Sequence, residues 1–218
     1  MAKPQNRRER NKARNLKTIT RASYRLFARK GVFRTTLKDI SEEADVGKGT
    51  IYTYFKTKTD LMTDLTQNAF DDLLEYCRKG IIGTNDPDEL LQKLINGHFS
   101  FFAKRRSLFT LLFFARGALQ QDFSKLDIRK IESSYTKYID FVGEVLDSGV
   151  RTGSFRPFSP VIQAHILEGL IMGFILHWTI NKRTGNLANQ AGAVVETFFY
   201  GIKRDRHKEK KQRETRLI

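Results

Sequence analysis

The sequence predicts an all-α chain, with an N-terminal three-helix domain built on a helix-turn-helix and a larger helical body behind it. Three observations carry that prediction. The stretch 35–55, TTLKDISEEADVGKGTIYTYF, holds two short helical patterns separated by a tight turn. Two threonine-led capping boxes, Thr36 with Asp39 and Thr57 with Asp60, mark helix starts within and just after it. From Leu61 onward, apolar residues recur at spacings of three and four through most of the body.

Composition bounds the rest. A chain of 218 residues suffices for one large or two small domains, and 17 Phe supply ample core material. The one cysteine, Cys77, excludes an intrachain disulfide framework and fits a reducing cytoplasm. The N-terminus is basic and polar, without the apolar run of a secretory signal. The net charge of +15 is unevenly spread: residues 1–60 carry +10, residues 61–202 carry zero, and residues 203–218 carry +5. A basic head on a neutral body is the electrostatic footprint of a nucleic-acid reader with a separate module attached.

Residues 1–15 hold Lys3, Arg7, Arg8, Arg10, Lys12 and Arg14 with almost no apolar side chain, which predicts a frayed basic arm. A first helix is expected from about Asn15 to Lys30, with Leu16, Ile19, Leu26 and Phe27 on its inner face and Gly31 stopping it. Leu37, Ile40 and Ala44 give the next helix its apolar side, and Thr36 caps it. Asp45 suits the left-handed turn, and Val46 turns an apolar group back inside. The following helix starts near Gly47, with Ile51 and Phe55 inward. Its outward face is Lys48, Gly49, Thr50, Tyr52, Thr53 and Tyr54, a set of donors and flat contact surfaces. In a helix-turn-helix this second helix enters the major groove.

The run G-x-x-x-T-T-x-x-x-I-x-x-x-A-x-V-x-K-G-T-x-Y-x-Y-F-x-x-K-x-x-L, from Gly31 to Leu61, resembles the DNA-binding domain of the TetR family of transcriptional regulators. Asp45 stands where that pattern usually has Gly, and Gly47 where it usually has Ser. Gly47 still suits an N-cap but lacks a hydroxyl for a phosphate. The expected DNA-binding residues are Thr36, Lys48, Gly49, Thr50, Tyr52, Thr53, Tyr54 and Lys58. Thr50 and Tyr52 are expected to meet bases or the groove wall, and Lys48, Tyr54 and Lys58 to hold phosphates. Thr36 is expected to present a helix N-terminus to another phosphate.

The body begins with a long helix from the Thr57 capping box to about Arg78. Gly80 to Asn85 breaks the pattern, and Asp86-Pro87 restarts it. Six Phe fall within 99–114, more aromatic surface than one helix stripe requires. An elongated apolar cavity is therefore expected, lined by Phe99, Phe102, Phe109, Phe113, Tyr135 and Phe174, with Arg116, Tyr138 and His177 orienting a ligand's head. Lys104, Arg105 and Arg106 form a tight basic cluster suited to its mouth. A helix is expected over about 124–150, and the segment 148–157, SGVRTGSFRP, looks like the turn before that family's last two helices. Those are expected over 160–180 and 187–202. The first is apolar around much of its circumference, but Gln163, His165, Glu168 and His177 argue against a membrane span. A helix apolar on several sides needs several partners. Paired with their copies, the two helices, including Phe198, would build a four-helix homodimer interface.

Catalytic patterns are not evident. Gly47-Lys48-Gly49-Thr50 lacks the glycine spacing and the preceding strand of a phosphate loop. His98, His165, His177 and His207 are scattered and Cys77 is alone, so no metal site or cofactor is expected. The chain divides into residues 1–60 as the DNA-binding head, 61–203 as a helical effector-binding and dimerisation domain, and 204–218 as a basic tail. The resemblance implies a cytoplasmic, homodimeric, non-enzymatic regulator that binds a double-stranded palindromic operator. An apolar small molecule would release it, a long-chain acyl-CoA being one candidate because 98–101, HFSF, looks like the acyl-CoA-responsive branch. The alternatives are a multidrug-type sensor and an architectural DNA-binding protein without an effector.

Overall fold

The chain is already helical at Arg7, two turns ahead of where apolar spacing first marks a helix. Helix α1 runs Arg7–Lys30, and its first buried residue is Ile19. Its opening turns hold Arg, Lys, Glu and Ala, with neither Gly nor Pro, so backbone propensity sustains a helix there. The expected frayed arm over residues 7–15 is thus corrected to ordered helix. Periodicity detects a helix only where one face is buried, and these turns bury none. The computed structural model describes residues 7–105, 127–180 and 187–202, without the side chains of residues 128, 180 and 188. Among them every regular element is helical.

The helices after α1 are α2 (Leu37–Glu43), α3 (Lys48–Tyr54), α4 (Lys58–Gly80) and α5 (Pro87–Lys104). They are followed by α6 (Ile128–Arg151), α7 (Pro160–Ile180), a 3-10 turn (Leu187–Gln190) and α8 (Ala191–Ile202). The chain forms two compact units. Of the described residues, the first takes those up to Asp71, Arg105 and 127–135, and the second takes Asp72–Lys104 and those from Thr136 onward.

In the first unit, α1, α2, α3 and the start of α4 close on one core. Ile19, Leu26, Phe27, Ile40, Ile51 and Leu61 are almost wholly buried in it. Gly31, at φ 81°, ends α1 by donating its N–H to the Phe27 carbonyl at 3.0 Å, a left-handed cap that a side chain would strain. Thr57 and Asp60 form their capping box, with Asp60 N–H to Thr57 Oγ1 at 3.0 Å and Thr57 N–H to Asp60 Oδ2 at 2.9 Å. Tyr24 donates from α1 to the Leu65 carbonyl of α4 at 3.4 Å, fixing the first helix against the fourth.

The second unit packs the last turns of α4 with α5, most of α6, α7 and α8. The turn from α6 rests on Gly149. A Cβ there would meet the Phe155 ring at 2.1 Å, so only glycine lets that ring fold back onto the helix. The backbone closes the same loop, Phe155 N–H donating to Gly149 O at 2.9 Å. By length and composition alone α7 could cross a membrane. Instead Ala164, Leu167, Glu168, Ile171 and Ile175 are buried in the unit, while Ile162 and Ile166 stay 60% and 47% exposed. Phe198, expected at a dimer interface, is buried in its own unit's core.

Candidate nucleic-acid interface and effector region

Thr36 and Asp39 fix the entry to the helix-turn-helix. The Asp39 N–H donates to Thr36 Oγ1 at 3.1 Å, and the Thr36 N–H donates to Asp39 Oδ2 at 2.9 Å. These bonds from Thr36, with Lys30 at 3.2 Å, hold the Asp39 carboxyl below the usual carboxylate range. The turn comes from Asp45, the one non-glycine residue at positive φ among those described, at 51°. Aspartate tolerates the left-handed region, which is why the chain manages without the usual glycine. Val46 N–H then reaches back to Ser41 O at 3.0 Å, locking the angle between α2 and α3.

Ile51 is fully buried and pins α3 to the core, which leaves Lys48, Gly49, Tyr52 and Thr53 exposed. Thr50 and Tyr54 are half-buried. Gly47 caps α3 without a side-chain bond, through Thr50 N–H to Gly47 O at 2.8 Å. The Thr53 hydroxyl donates to Thr50 O at 2.7 Å, so it can offer a partner only its lone pairs. Tyr54 accepts a long bond from Asn15 Nδ2 at 3.5 Å. Thr36 is exposed, and its N-cap end is open to solvent.

Lys58 is less free than its sequence position suggests. Its ammonium donates to the Phe33 carbonyl at 3.0 Å, and half-burial lowers its pKa while the Asp39 charge opposes the shift. Two protons remain for a phosphate, with the nitrogen held in place by the turn after α1. Nothing in the sequence signalled this bond, because Phe33 contributes a backbone atom.

The residues expected around an effector distribute as follows. Phe99, Phe102 and Tyr138 are buried in the second unit, and Phe174 meets Phe99 edge-on with ring centres 6.4 Å apart. His177, like His165, is exposed. Tyr135 belongs to the first unit, packed against Phe70 at 5.4 Å. Phe109, Phe113, Arg116 and Arg106 lie outside the described residues, while Lys104 and Arg105 are exposed.

A buried polar chain runs beside the aromatic residues. His98 Nδ1 lies 2.8 Å from the Leu94 carbonyl, and Nε2 bonds the Tyr138 hydroxyl. That hydroxyl reaches Glu168 Oε2 at 2.9 Å, and all three residues are almost wholly buried. Burial pushes the imidazole pKa down to about 4, against the Leu94 bond, and so keeps it neutral. Cys77 Sγ lies 3.7 Å from the same ring. Burial first, then the Glu168 charge, push its thiol up to about 12, which leaves it protonated and a poor redox sensor. In the sequence His98 stands apart from every other histidine and from Cys77. The available signal was its place four residues after Leu94 on the inward face of α5. Among the described residues no three His, Cys, Asp or Glu side chains gather in a way that could hold a metal.

Residues 19–65 match the family model described as bacterial regulatory proteins, tetR family. The fatty acid metabolism regulator protein of Bacillus subtilis is 25% identical over 186 residues, covering 84% of this chain and 93% of that one. The probable acrEF/envCD operon repressor of Escherichia coli K12 is 29% identical over 216 residues, covering 86% and 88%. Among solved structures, the transcriptional regulator FadR of Bacillus subtilis, in complex with stearoyl-CoA, superposes with a TM-score of 0.72. It is 24% identical, covers 83% of this chain and 96% of that chain, and establishes the fold. A capped α2, a left-handed turn and an α3 with its polar face outward coincide with the span the family model matches, and residues 19–65 form the N-terminal domain of the tetR family of bacterial regulatory proteins.

Proposed function

We propose that this regulator is a homodimeric repressor whose two heads occupy a palindromic operator and which a long-chain acyl-CoA releases. The observation that carries the DNA reading is the outward face of α3. Lys48, Gly49, Tyr52 and Thr53 are exposed on a helix that Ile51 anchors rigidly from behind. On this reading residues 1–60 are the reader, residues 61–203 bind effector and partner, and the chain acts by binding rather than catalysis, in the cytoplasm where its operator is. The homodimer reading rests on Val161, Ile162 and Ile166 of α7 and Tyr200 of α8, large apolar side chains left on the surface.

The acyl-CoA assignment rests on the relatives, one a fatty acid metabolism regulator and one a structure holding stearoyl-CoA. It also requires an apolar cavity beside the aromatic side chains of α5, where Phe99 and Phe102 are buried. Helix α4 is shared by both units, so ligand-dependent strain in it would change the separation of the two heads. Half-sites about one helical turn apart tolerate little such change. A multidrug-type effector is the second reading, favoured by the likeness to the acrEF/envCD repressor.

Operator selection from a random duplex library, followed by titration of stearoyl-CoA onto the complex, tests the proposal. Selection of one inverted repeat and its release at micromolar ligand is the expected result. Intact complex at that concentration removes the acyl-CoA assignment. Failure to enrich any sequence removes the operator reading itself.

A further inference from the structure

From Arg7 to Arg14 every side chain of α1 is exposed, and five of these eight residues are cationic: Arg7, Arg8, Arg10, Lys12 and Arg14. Glu9 is the one acidic residue of the first turn. Arg7, Arg10, Arg14, Lys17 and Arg21 follow at alternating spacings of three and four, which keeps them on one face. At 1.5 Å rise per residue the stripe is ~21 Å long. Lys12 lies off this stripe and lines a cleft with Leu16 of the same helix, Thr53 and Tyr54 of the reading helix, and Asp64 of α4. Asn15, at the foot of the extension, donates to the Tyr54 hydroxyl at 3.5 Å. The cationic turns are therefore continuous with the C-terminal end of α3, within one unit.

The arrangement of cations carries a cost within the helix. Like charges at three and four residues repel, and the cations crowd the end of the helix where the backbone dipole is already positive. Leu16 is the first apolar side chain to pack against the core, and none before it offsets that repulsion. A polyanion reverses each of these costs. Duplex DNA carries about one negative charge per ~1.7 Å of axis, and each phosphate neutralised releases a condensed counterion.

We propose that the extension Arg7–Arg14 is a second DNA-contact element, a cationic rail that follows the backbone of the duplex outside the half-site read by α3. This rests on the operator-binding reading above. The rail adds affinity without adding sequence preference, since phosphates carry no base information.

The test uses the full chain and its selected operator in two lengths, one with about ten further base pairs on each side, measured by fluorescence anisotropy from 50 to 200 mM salt. Three proteins are compared with wild type: Arg10→Gln/Lys12→Gln/Arg14→Gln, the same sites as Arg10→Lys/Arg14→Lys, and a remote control, Lys79→Gln/Lys137→Gln/Arg151→Gln. Glutamine keeps helix propensity while removing charge. The expected result is that the first variant loses tenfold or more in affinity on the long duplex near 150 mM salt. Its log–log salt slope should also fall by roughly two to three units, about 0.9 per lost phosphate contact. Its preference for operator over scrambled sequence should remain, and its deficit should shrink on the short duplex. The lysine variant and the remote control should stay near wild type.

Equal losses in the remote control would mean that only net charge matters, and would overturn the rail. So would an unchanged affinity and slope on the long duplex, or a deficit equally large on the short one. Unchanged duplex binding by the first variant, with loss of wild-type binding to phosphatidylglycerol vesicles, would assign the extension to a membrane surface instead. If wild type itself shows no preference for any duplex sequence, the operator reading fails together with the rail. Normal operator binding by both proteins removes the rail alone.

Discussion

The hydroxyl of Tyr138 reaches the carboxylate of Glu168 at 2.9 Å inside the second unit, where both residues are almost wholly buried. The same hydroxyl bonds His98 Nε2. His98 Nδ1 faces the Leu94 carbonyl at 2.8 Å and so carries the ring's N–H, which leaves Nε2 as an acceptor. One phenolic proton thus serves two acceptors unless one of them is itself protonated. This bridge joins α5, α6 and α7, the last being the helix with the exposed apolar face.

Removing the bridge by Tyr138→Phe keeps the ring's shape and deletes only the hydroxyl. Two buried groups then lose a hydrogen bond, for a destabilisation of about 1–3 kcal/mol. Urea unfolding of the full chain reads this directly, and a midpoint equal to wild type would show the bridge contributes nothing net.

His98 makes stability depend on pH in one direction. The unfolded imidazole takes up a proton below about 6.5, whereas burial delays uptake in the folded chain until about pH 4. Between those values the unfolded state binds more protons, so stability falls as pH falls. This contribution is complete near pH 4, where the folded state protonates as well. Its size is on the order of 3 kcal/mol. Stability curves from pH 7 to 4 should be flatter for His98→Gln than for wild type, whatever the variant loses at pH 7. Parallel curves would remove His98 as a cause.

Lys48 is exposed at the start of α3, and Lys58 is half-buried and held by Phe33. Lys48→Ala should weaken binding to operator and to scrambled duplex by similar factors, with the salt slope reduced by about 0.9. Lys58→Ala should add a loss of thermal stability, because the Phe33 carbonyl also loses its donor. A Lys48→Ala protein with an unchanged slope would move the phosphate contact elsewhere on α3.

The exposed face of α7 predicts where the proposed homodimer would break. Ile162→Lys/Ile166→Lys places two charges on that face without touching the unit's core. Burying them unpaired against a second copy is too costly for a dimer to persist. Sedimentation at micromolar protein should show monomer, with an unchanged helical circular dichroism spectrum. An intact dimer would place the interface on another surface. Phe198 is unsuitable for this test, since lysine there would disrupt its own unit's packing.

What was legible in the sequence was local. The Thr36–Asp39 and Thr57–Asp60 boxes, the stop at Gly31 and the turn at Asp45 involve residues within four positions of one another. Such bonds follow from side-chain type and backbone preference alone, and with the apolar spacing between them they determined the head. Two kinds of feature escaped that reading. The opening turns of α1 bury no side chain, so no periodicity announces them. Helix α7 is apolar around most of its circumference, so spacing names no preferred face, and only packing decided that Ile171 is buried while Ile166 is not.

Contacts distant along the chain were settled by tertiary structure alone. Lys58 meets a carbonyl 25 residues away, and Tyr138 meets Glu168 across 30 positions. A polar side chain on an inward helix face states that it needs a partner, because an unbonded buried group is costly. Which partner it finds depends on how the helices cross, and crossing is set by the packing of many side chains at once. The sequence by itself determined the capped helices, the turn and the polar face of the reading helix. Tertiary structure decided the His98–Tyr138–Glu168 chain, the tether on Lys58 and the face of α7 left open, because each depends on atoms that only folding brings together.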